Sequence, residues 1–210
     1  MTTEIYIVRH GESTGNLKGR FMGHTDCGLS ETGMRQALDI RSFFEGIHID
    51  AVISSDLKRA MDTALPTAQA HGLRLKTEPG FREIFAGEWE GMRFAEIAEK
   101  YPRQYACWTG EFEKLQMPGG ESSIQLSRRV NSALLHTAEE FAGKTIVIAT
   151  HATPIQLMRL KIYGMELEKA RSFPLVANAS VTKLNYCDGA FSIEYADCRD
   201  HLDEITLLQI

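Results

Sequence analysis

The sequence predicts an α/β protein, a three-layer α/β/α sandwich with a mostly parallel central sheet and a small inserted lid segment. Three observations lead there. Short, apolar, β-branched runs at residues 5–8, 51–54 and 145–149 have the character of strands buried on both faces. Each is followed by a stretch with helical spacing of its apolar residues, and strand-helix alternation generates a parallel sheet covered on both sides. From about residue 84 to about residue 118 the alternation lapses into an aromatic and glycine-rich segment, which reads as the insertion.

Taken in order, Ile5-Tyr6-Ile7-Val8 is a central strand, with Arg9-His10-Gly11-Glu12-Ser13 at its tip and a loop over residues 13–16. From Leu29 the pattern turns helical: Ser30 can cap, Met34, Ala37, Leu38 and Phe44 share a face, and Gly46 lies near the end. A second strand, residues 51–54, runs into a helix opened by Ser55-Asp56, with Arg59 about one turn in. Pro66 should kink or restart that helix, because it lacks an amide proton and crowds the preceding turn. Residues 73–77 read as a third strand, broken by Pro79-Gly80 just before Glu83.

The insertion carries Trp89, Phe94, Tyr101, Tyr105, Trp108 and Phe112 around one short helical piece near residues 94–101. Pro118-Gly119-Gly120-Glu121-Ser122 leads into a long helix in which Leu126, Val130, Ala133, Leu134 and Phe141 keep helical spacing up to Gly143. Residues 145–149 form the most apolar strand, closed by Thr150-His151 before another helical segment that reaches Tyr163-Gly164. Residues 181–186 and 191–196 alternate like a late strand pair joined at Asp188-Gly189, one of them antiparallel at the sheet edge. With no repeat or linker in view, residues 1–210 are expected to form one domain.

Composition narrows the function. A formal charge of -5 without a basic cluster argues against a nucleic-acid surface. No run approaches the ~20 apolar residues of a membrane span, and the start has no basic and apolar leader, so a cytoplasmic protein is expected. Cys27, Cys107, Cys187 and Cys198 show no CxxC or zinc-type spacing, which favours reduced thiols over a disulfide framework.

A parallel sheet gathers its strand tips along one edge, so Arg9, His10, Arg59, Glu83 and His151 should converge. Two arginines can fork onto phosphate oxygens, and Asn16 adds an amide donor. A neutral imidazole there can attack phosphorus, and a carboxyl at Glu83, flanked by Phe81 and Phe85, could be held protonated by desolvation to supply the leaving group's proton. His151 reads as a further donor to the phosphoryl oxygens. Histidines gathered with a glutamate also suit a metal, but the arginines would repel a divalent cation, so neither metal nor cofactor is expected. Glu12 reads as a loop-ordering residue, and His24, His48, His71, His136 and His201 as solvated or capping.

Arg9-His10-Gly11-Glu12-Ser13 with Asn16, Ser54-Ser55-Asp56-Leu57-Lys58-Arg59-Ala60, Glu83 followed by Gly87-Glu88-Trp89-Glu90-Gly91, the Pro118–122 stretch and Thr150-His151 together resemble the histidine phosphatase (phosphoglycerate mutase-like) superfamily over about residues 4–186. The resemblance implies that His10 is the nucleophile, that Arg9, Arg59 and His151 complete a phosphate pocket with Asn16, that Glu83 is the proton donor, and that Ser13, Met22 and Gly23 belong to the substrate-binding loop. Cofactor-dependent mutases of the family carry a small hydroxyl residue where Met22 stands, and an arginine pair near Trp108-Thr109-Gly110-Glu111. Both departures favour a phosphatase for a small phosphorylated metabolite. Similarity to the phosphatase domain of fructose-2,6-bisphosphatase extends over residues 16–20, 28–30 and 90–92, but its basic, tyrosine-rich stretch is replaced by residues 112–116, and Gln156 stands near its arginine. The alternatives are a cofactor-dependent phosphoglycerate mutase and a catalytically inert module that binds a phosphorylated ligand.

Overall fold

The computed structural model describes residues 1–202. Its sheet has six strands: β1 (Thr3–Arg9), β2 (Ala51–Ser54), β3 (Leu75–Thr77), β4 (Thr145–Thr150), β5 (Val181–Cys187) and β6 (Ala190–Cys198), in the order β3-β2-β4-β1-β5-β6. β1, β2, β3 and β4 pair in parallel, while β5 is antiparallel to both β1 and β6. The reversed strand is therefore β5, one place in from the edge strand β6.

The helices are α1 (Thr14–Leu17), α2 (Glu31–Phe43), α3 (Lys58–Ala70), α4 (Phe94–Lys100), α5 (Pro102–Thr109), α6 (Ser123–Glu140) and α7 (Ala152–Ile162). Successive strand residues face opposite ways, which splits the core in two. Ile5, Ile7, Ile53, Ile146 and Ile148 meet Leu126, Val130 and Leu134 of α6 and Ile155 and Met158 of α7. On the other face Tyr6, Val8, Val52, Val147 and Ala149 meet Ile40, Phe44, Ala64 and Ala68, the contributions of α2 and α3. Ile148 is wholly buried, and truncating such a side chain to alanine costs about 2–5 kcal/mol.

Several expectations need correction. Residues 14–17 form a short helix rather than a loop, because Ser13 and Asn16 make a reciprocal capping box. Met34 and Leu38 are 55% and 50% exposed; α2 instead buries Thr32, Gly33, Gln36, Ala37 and Ile40. α3 runs unbroken through Pro66, which lies on a partly exposed stretch where water can serve the carbonyl of Asp62 that it leaves without a donor. The insertion holds two helices, α4 and α5, rather than one short helical piece; its Trp89, beside Phe21, and its Phe112 are sealed into the core.

Register positions the site. Arg9 pairs with Thr150 and Ser54 with Ala149, so the residues following β1, β2 and β4 leave the sheet side by side.

Candidate active site

The residue after β1, His10, is tied down on every side. Its backbone N–H donates to the Thr150 carbonyl at 2.9 Å, and its carbonyl accepts from Asn178 Nδ2 at 2.9 Å. The next two amides are met by side chains, Gly11 N by Thr63 Oγ1 at 3.0 Å and Glu12 N by Gln36 Oε1 at 2.7 Å. Gly33 lets α2 press against this loop: a Cβ there would lie 2.0 Å from the Glu12 carbonyl oxygen.

The His10 ring is 4% exposed, and Nδ1 lies 2.7 Å from the Gly11 carbonyl. A carbonyl can only accept, so Nδ1 carries the proton and Nε2 keeps its lone pair. Burial pushes the imidazole well below its usual pKa, and the nearby cations Arg59 and Arg9 push the same way. His10 is thus neutral at neutral pH with one nucleophilic nitrogen.

Arg59, the second residue of α3, is 1% exposed; Nη1 donates to the Thr25 carbonyl at 3.1 Å and Nη2 to those of Met22 and Gly23 at 2.7 and 2.8 Å. Three of its five N–H groups therefore shape loop 22–25, and two remain for a ligand. Gly23 serves as one of these acceptors and does not line the cleft, whereas Met22 does. Arg9 donates from Nη1 to the Val176 carbonyl, and its Nε is buried without a partner. Burial lowers its pKa to about 10, with Glu83 and Asp197 acting in the opposite direction.

Ser13 N and Oγ both donate to Asn16 Oδ1, at 3.1 and 2.8 Å, so the amide nitrogen of exposed Asn16 is the end left for a ligand. Glu83 Oε1 accepts from Ile84 N at 2.8 Å and Oε2 from Thr153 N at 3.3 Å, at the start of α7. The expected apolar flank is absent: Phe81 is buried in the core, and Phe85 is 41% exposed with its ring 5.1 Å from that of His24.

His151 precedes α7 and is wholly buried, its ring 5.1 Å from that of His10; it does not line the cleft itself. Its Nε2 lies 2.9 Å from Ser55 Oγ, and Nδ1 is buried without a partner. Ser55 Oγ accepts from the Leu57 amide and keeps a proton it can give to His151 Nε2. In that tautomer His151 presents Nδ1–H as a donor. Burial pushes this ring too well below the usual histidine pKa, with Arg59 next in effect.

Arg9, His10, Ser13, Asn16, Met22, Arg59 and Glu83 line one cleft of about 160 Å³ with the N-terminal residues of α7, Ala152 and Thr153. Backbone amides and the positive end of a helix add to the preference for an anion. Arg20, Phe21, Phe94, Trp108 and Leu175 form the remaining wall.

Two further groups support the site, of which Arg129 carried no sequence signal and Gln156 stood out only as a departure from a family arginine. Arg129 of α6 grips both carboxylate oxygens of Glu121 at 2.9 and 2.8 Å and donates to the carbonyls of Gly80, Arg82 and Glu83 at 2.9, 3.0 and 3.1 Å. Gln156 donates to the carbonyls of Ala170 and Phe173 at 2.7 and 2.6 Å, fixing the segment that leads to Leu175. Among the described residues no group of three or more His, Cys, Asp or Glu side chains is arranged to hold a metal ion.

The family model of the histidine phosphatase superfamily (branch 1) matches residues 5–198. Phosphoserine phosphatase 1 of Hydrogenobacter thermophilus is 36% identical over 170 residues, 81% of each chain. The metal-independent phosphoserine phosphatase of Arabidopsis thaliana is 35% identical over 210 residues, 99% of this chain and 86% of the other. The solved structure of Bacillus stearothermophilus YhfR superposes with a TM-score of 0.92 at 24% identity, covering 96% of this chain and all of its own.

Proposed function

The chain belongs to the histidine phosphatase superfamily, and from that premise we propose that it is a metal-independent phosphatase hydrolysing a small phosphomonoester through a phosphohistidine on His10. The observation that carries this reading is the His10 Nδ1 hydrogen bond to the Gly11 carbonyl, which leaves a neutral Nε2 among Arg9, Arg59 and Asn16.

On this reading the phosphoryl group sits on Arg9, the free N–H groups of Arg59, the Asn16 amide and the start of α7, with His151 Nδ1–H as a further donor. Nε2 attacks phosphorus and forms the P–N bond as the ester P–O bond breaks. Glu83, in its protonated form, gives its proton to the departing alkoxide. Glu83 then takes a proton from water as the water oxygen attacks phosphorus, the P–N bond breaks and the electron pair returns to Nε2.

The names of the two relatives at 35 and 36% identity favour phosphoserine as the substrate. A cleft of about 160 Å³, which must hold the phosphoryl group and the alcohol together, suits a small ester of that kind.

The test is to incubate the protein with a labelled phosphomonoester and quench it at alkaline pH. An acid-labile, base-stable phosphoenzyme should form and vanish in His10→Ala, and release of phosphate should be indifferent to EDTA. The same phosphoenzyme yield in His10→Ala would refute the nucleophile. Exchange of phosphate between the 2 and 3 positions of phosphoglycerate, with little free phosphate, would make the chain a mutase.

A further inference from the structure

Arg171 is a cation that the fold leaves unused. It belongs to the 3₁₀ turn Leu167–Ser172, which Gln156 anchors. Its guanidinium carbon lies 4.1 Å from the Trp108 ring centroid and 4.2 Å from that of Phe112. The two rings are inclined at 69° to each other, so the guanidinium can lie flat against only one of them, and neither offers it an oxygen acceptor.

No described residue accepts a hydrogen bond from Arg171. Its Nε and Nη2 are enclosed without a partner, which leaves Nη1 as the end that solvent reaches. Arg9 and Arg159 also leave Nε without a partner, but their terminal nitrogens reach the carbonyls of Val176 and, at 3.2 Å, Pro174, and Arg59 is bonded to loop 22–25; Arg171 differs in having no acceptor at any nitrogen among the described residues. Enclosed donors without acceptors are rare because each forgoes its hydration for nothing, so such a group calls for a ligand.

Its position says which ligand. Trp108, against which the guanidinium is stacked, lines the cleft, and so does Leu175, four residues further on. Burial lowers the Arg171 pKa to about 10, so it stays charged near neutral pH, and the acid acting on it is Glu83. Glu83 is also the group assigned above to protonate the ester oxygen. Arg171 is not itself a lining residue; it stands against one, Trp108, so an anion on the alcohol side of the ester is the charge it would meet, while the phosphoryl group is held by Arg9 and Arg59.

We propose that Arg171, held against Trp108 and Phe112, binds a carboxylate on the departing alcohol and so selects phosphomonoesters of small hydroxy acids. The assignment rests on the phosphatase reading and adds to it the residue that reads the leaving group.

The experiment compares O-phosphoserine with O-phosphoethanolamine, which is phosphoserine without its carboxylate, and includes p-nitrophenyl phosphate and a sugar bisphosphate. In the unaltered protein kcat/KM should favour phosphoserine. In Arg171→Met, which keeps an apolar stem between the rings, the phosphoserine to phosphoethanolamine ratio should drop about ten- to a hundredfold through KM, the scale of hydrogen bonds to a charged group. Arg171→Lys should recover part of it. Should Arg171→Met not fold, the lysine variant and Arg171→Gln carry the same ratio measurement.

A ratio unchanged by the substitutions, with both substrates falling together, would make Arg171 a packing residue and overturn the proposal. A loss confined to the bisphosphate would overturn the carboxylate. If the unaltered protein hydrolyses p-nitrophenyl phosphate but does not distinguish the two amines, the proposal fails and the phosphatase reading stands. If it hydrolyses none and forms no phosphoenzyme, both fall.

Discussion

Replacing Arg129 by methionine should loosen the turn that carries Glu83. The guanidinium holds both oxygens of Glu121 and three main-chain carbonyls at residues 80, 82 and 83, joining α6 to two loops. Side-chain exposures of 25% for Arg129 and 13% for Glu121 place the pair in a partly dry setting. A hydrogen bond to a charged group is worth about 1.5–3 kcal/mol, but these bonds share one cation and are not additive. Methionine keeps the stem, and Glu121 keeps the Phe85 amide at 3.3 Å while losing its counter-ion. The expected loss is about 2–4 kcal/mol. In a chain of 210 residues each kcal/mol moves Tm by about 2–4 °C, so a drop of about 5–15 °C should appear in thermal unfolding. A cycle with Glu121→Gln should return a coupling of about 1–3 kcal/mol. On the proposed mechanism kcat should also fall, and fall more for an alkyl phosphate than for p-nitrophenyl phosphate, whose good leaving group depends less on a proton donor. A Tm within 2 °C of the parent, or an equal fall of kcat for both esters, would refute the reasoning.

His10 and His151 are held neutral by burial, so below about pH 6.5 the unfolded chain binds protons that the folded chain refuses. Their contribution to stability is complete above that pH and is lost as pH falls below it, at up to about 1.4 kcal/mol per pH unit for each ring; denaturant midpoints from pH 7.5 to 5.0 check this, and a flat profile would contradict it. Activity should hold through pH 6.5, its acid limb lying lower. Ser55→Ala should lower kcat about tenfold and release the tautomer of His151; ring nitrogen NMR of the parent should find the proton on Nδ1, and a proton on Nε2 would refute the role of Ser55.

The parallel strands and their tips were legible because β-branched runs and the residues that end them are contiguous in sequence: Val8-Arg9-His10 and Ala149-Thr150-His151 declare themselves. The inner face of α2 was misread because one of its core positions is a glutamine. Gln36 is 1% exposed and meets the Glu12 amide, a need that arises only once α2 is docked on the His10 loop. Arg129 was invisible for a related reason. Its partners are mostly carbonyls 46–49 residues away, and main-chain acceptors leave no mark in a sequence. The apolar flank of Glu83 failed because residues 79–90 are irregular, so neighbours in sequence are not neighbours around the carboxyl.

The electrostatics also separate a nucleophile from a binder. A module that only holds a phosphorylated ligand gains from protonated imidazoles, each of which adds a charge and a donor for the anion. Here burial and the field of Arg59 and Arg9 deny His10 and His151 that charge. For binding alone the arrangement is wasteful. For attack on phosphorus it is what the chemistry requires, since a protonated imidazole has no lone pair on Nε2. The arginines that depress the imidazole would be offset by the negative charge of a bound phosphoryl group, so the phosphohistidine cation would form in a milder field than the one that keeps the resting ring neutral. Its Nδ1–H would still face the Gly11 carbonyl, the acceptor that opposes the lowering of the His10 pKa in the resting protein. On these grounds the buried, unprotonated state of His10 weighs for catalysis over passive recognition.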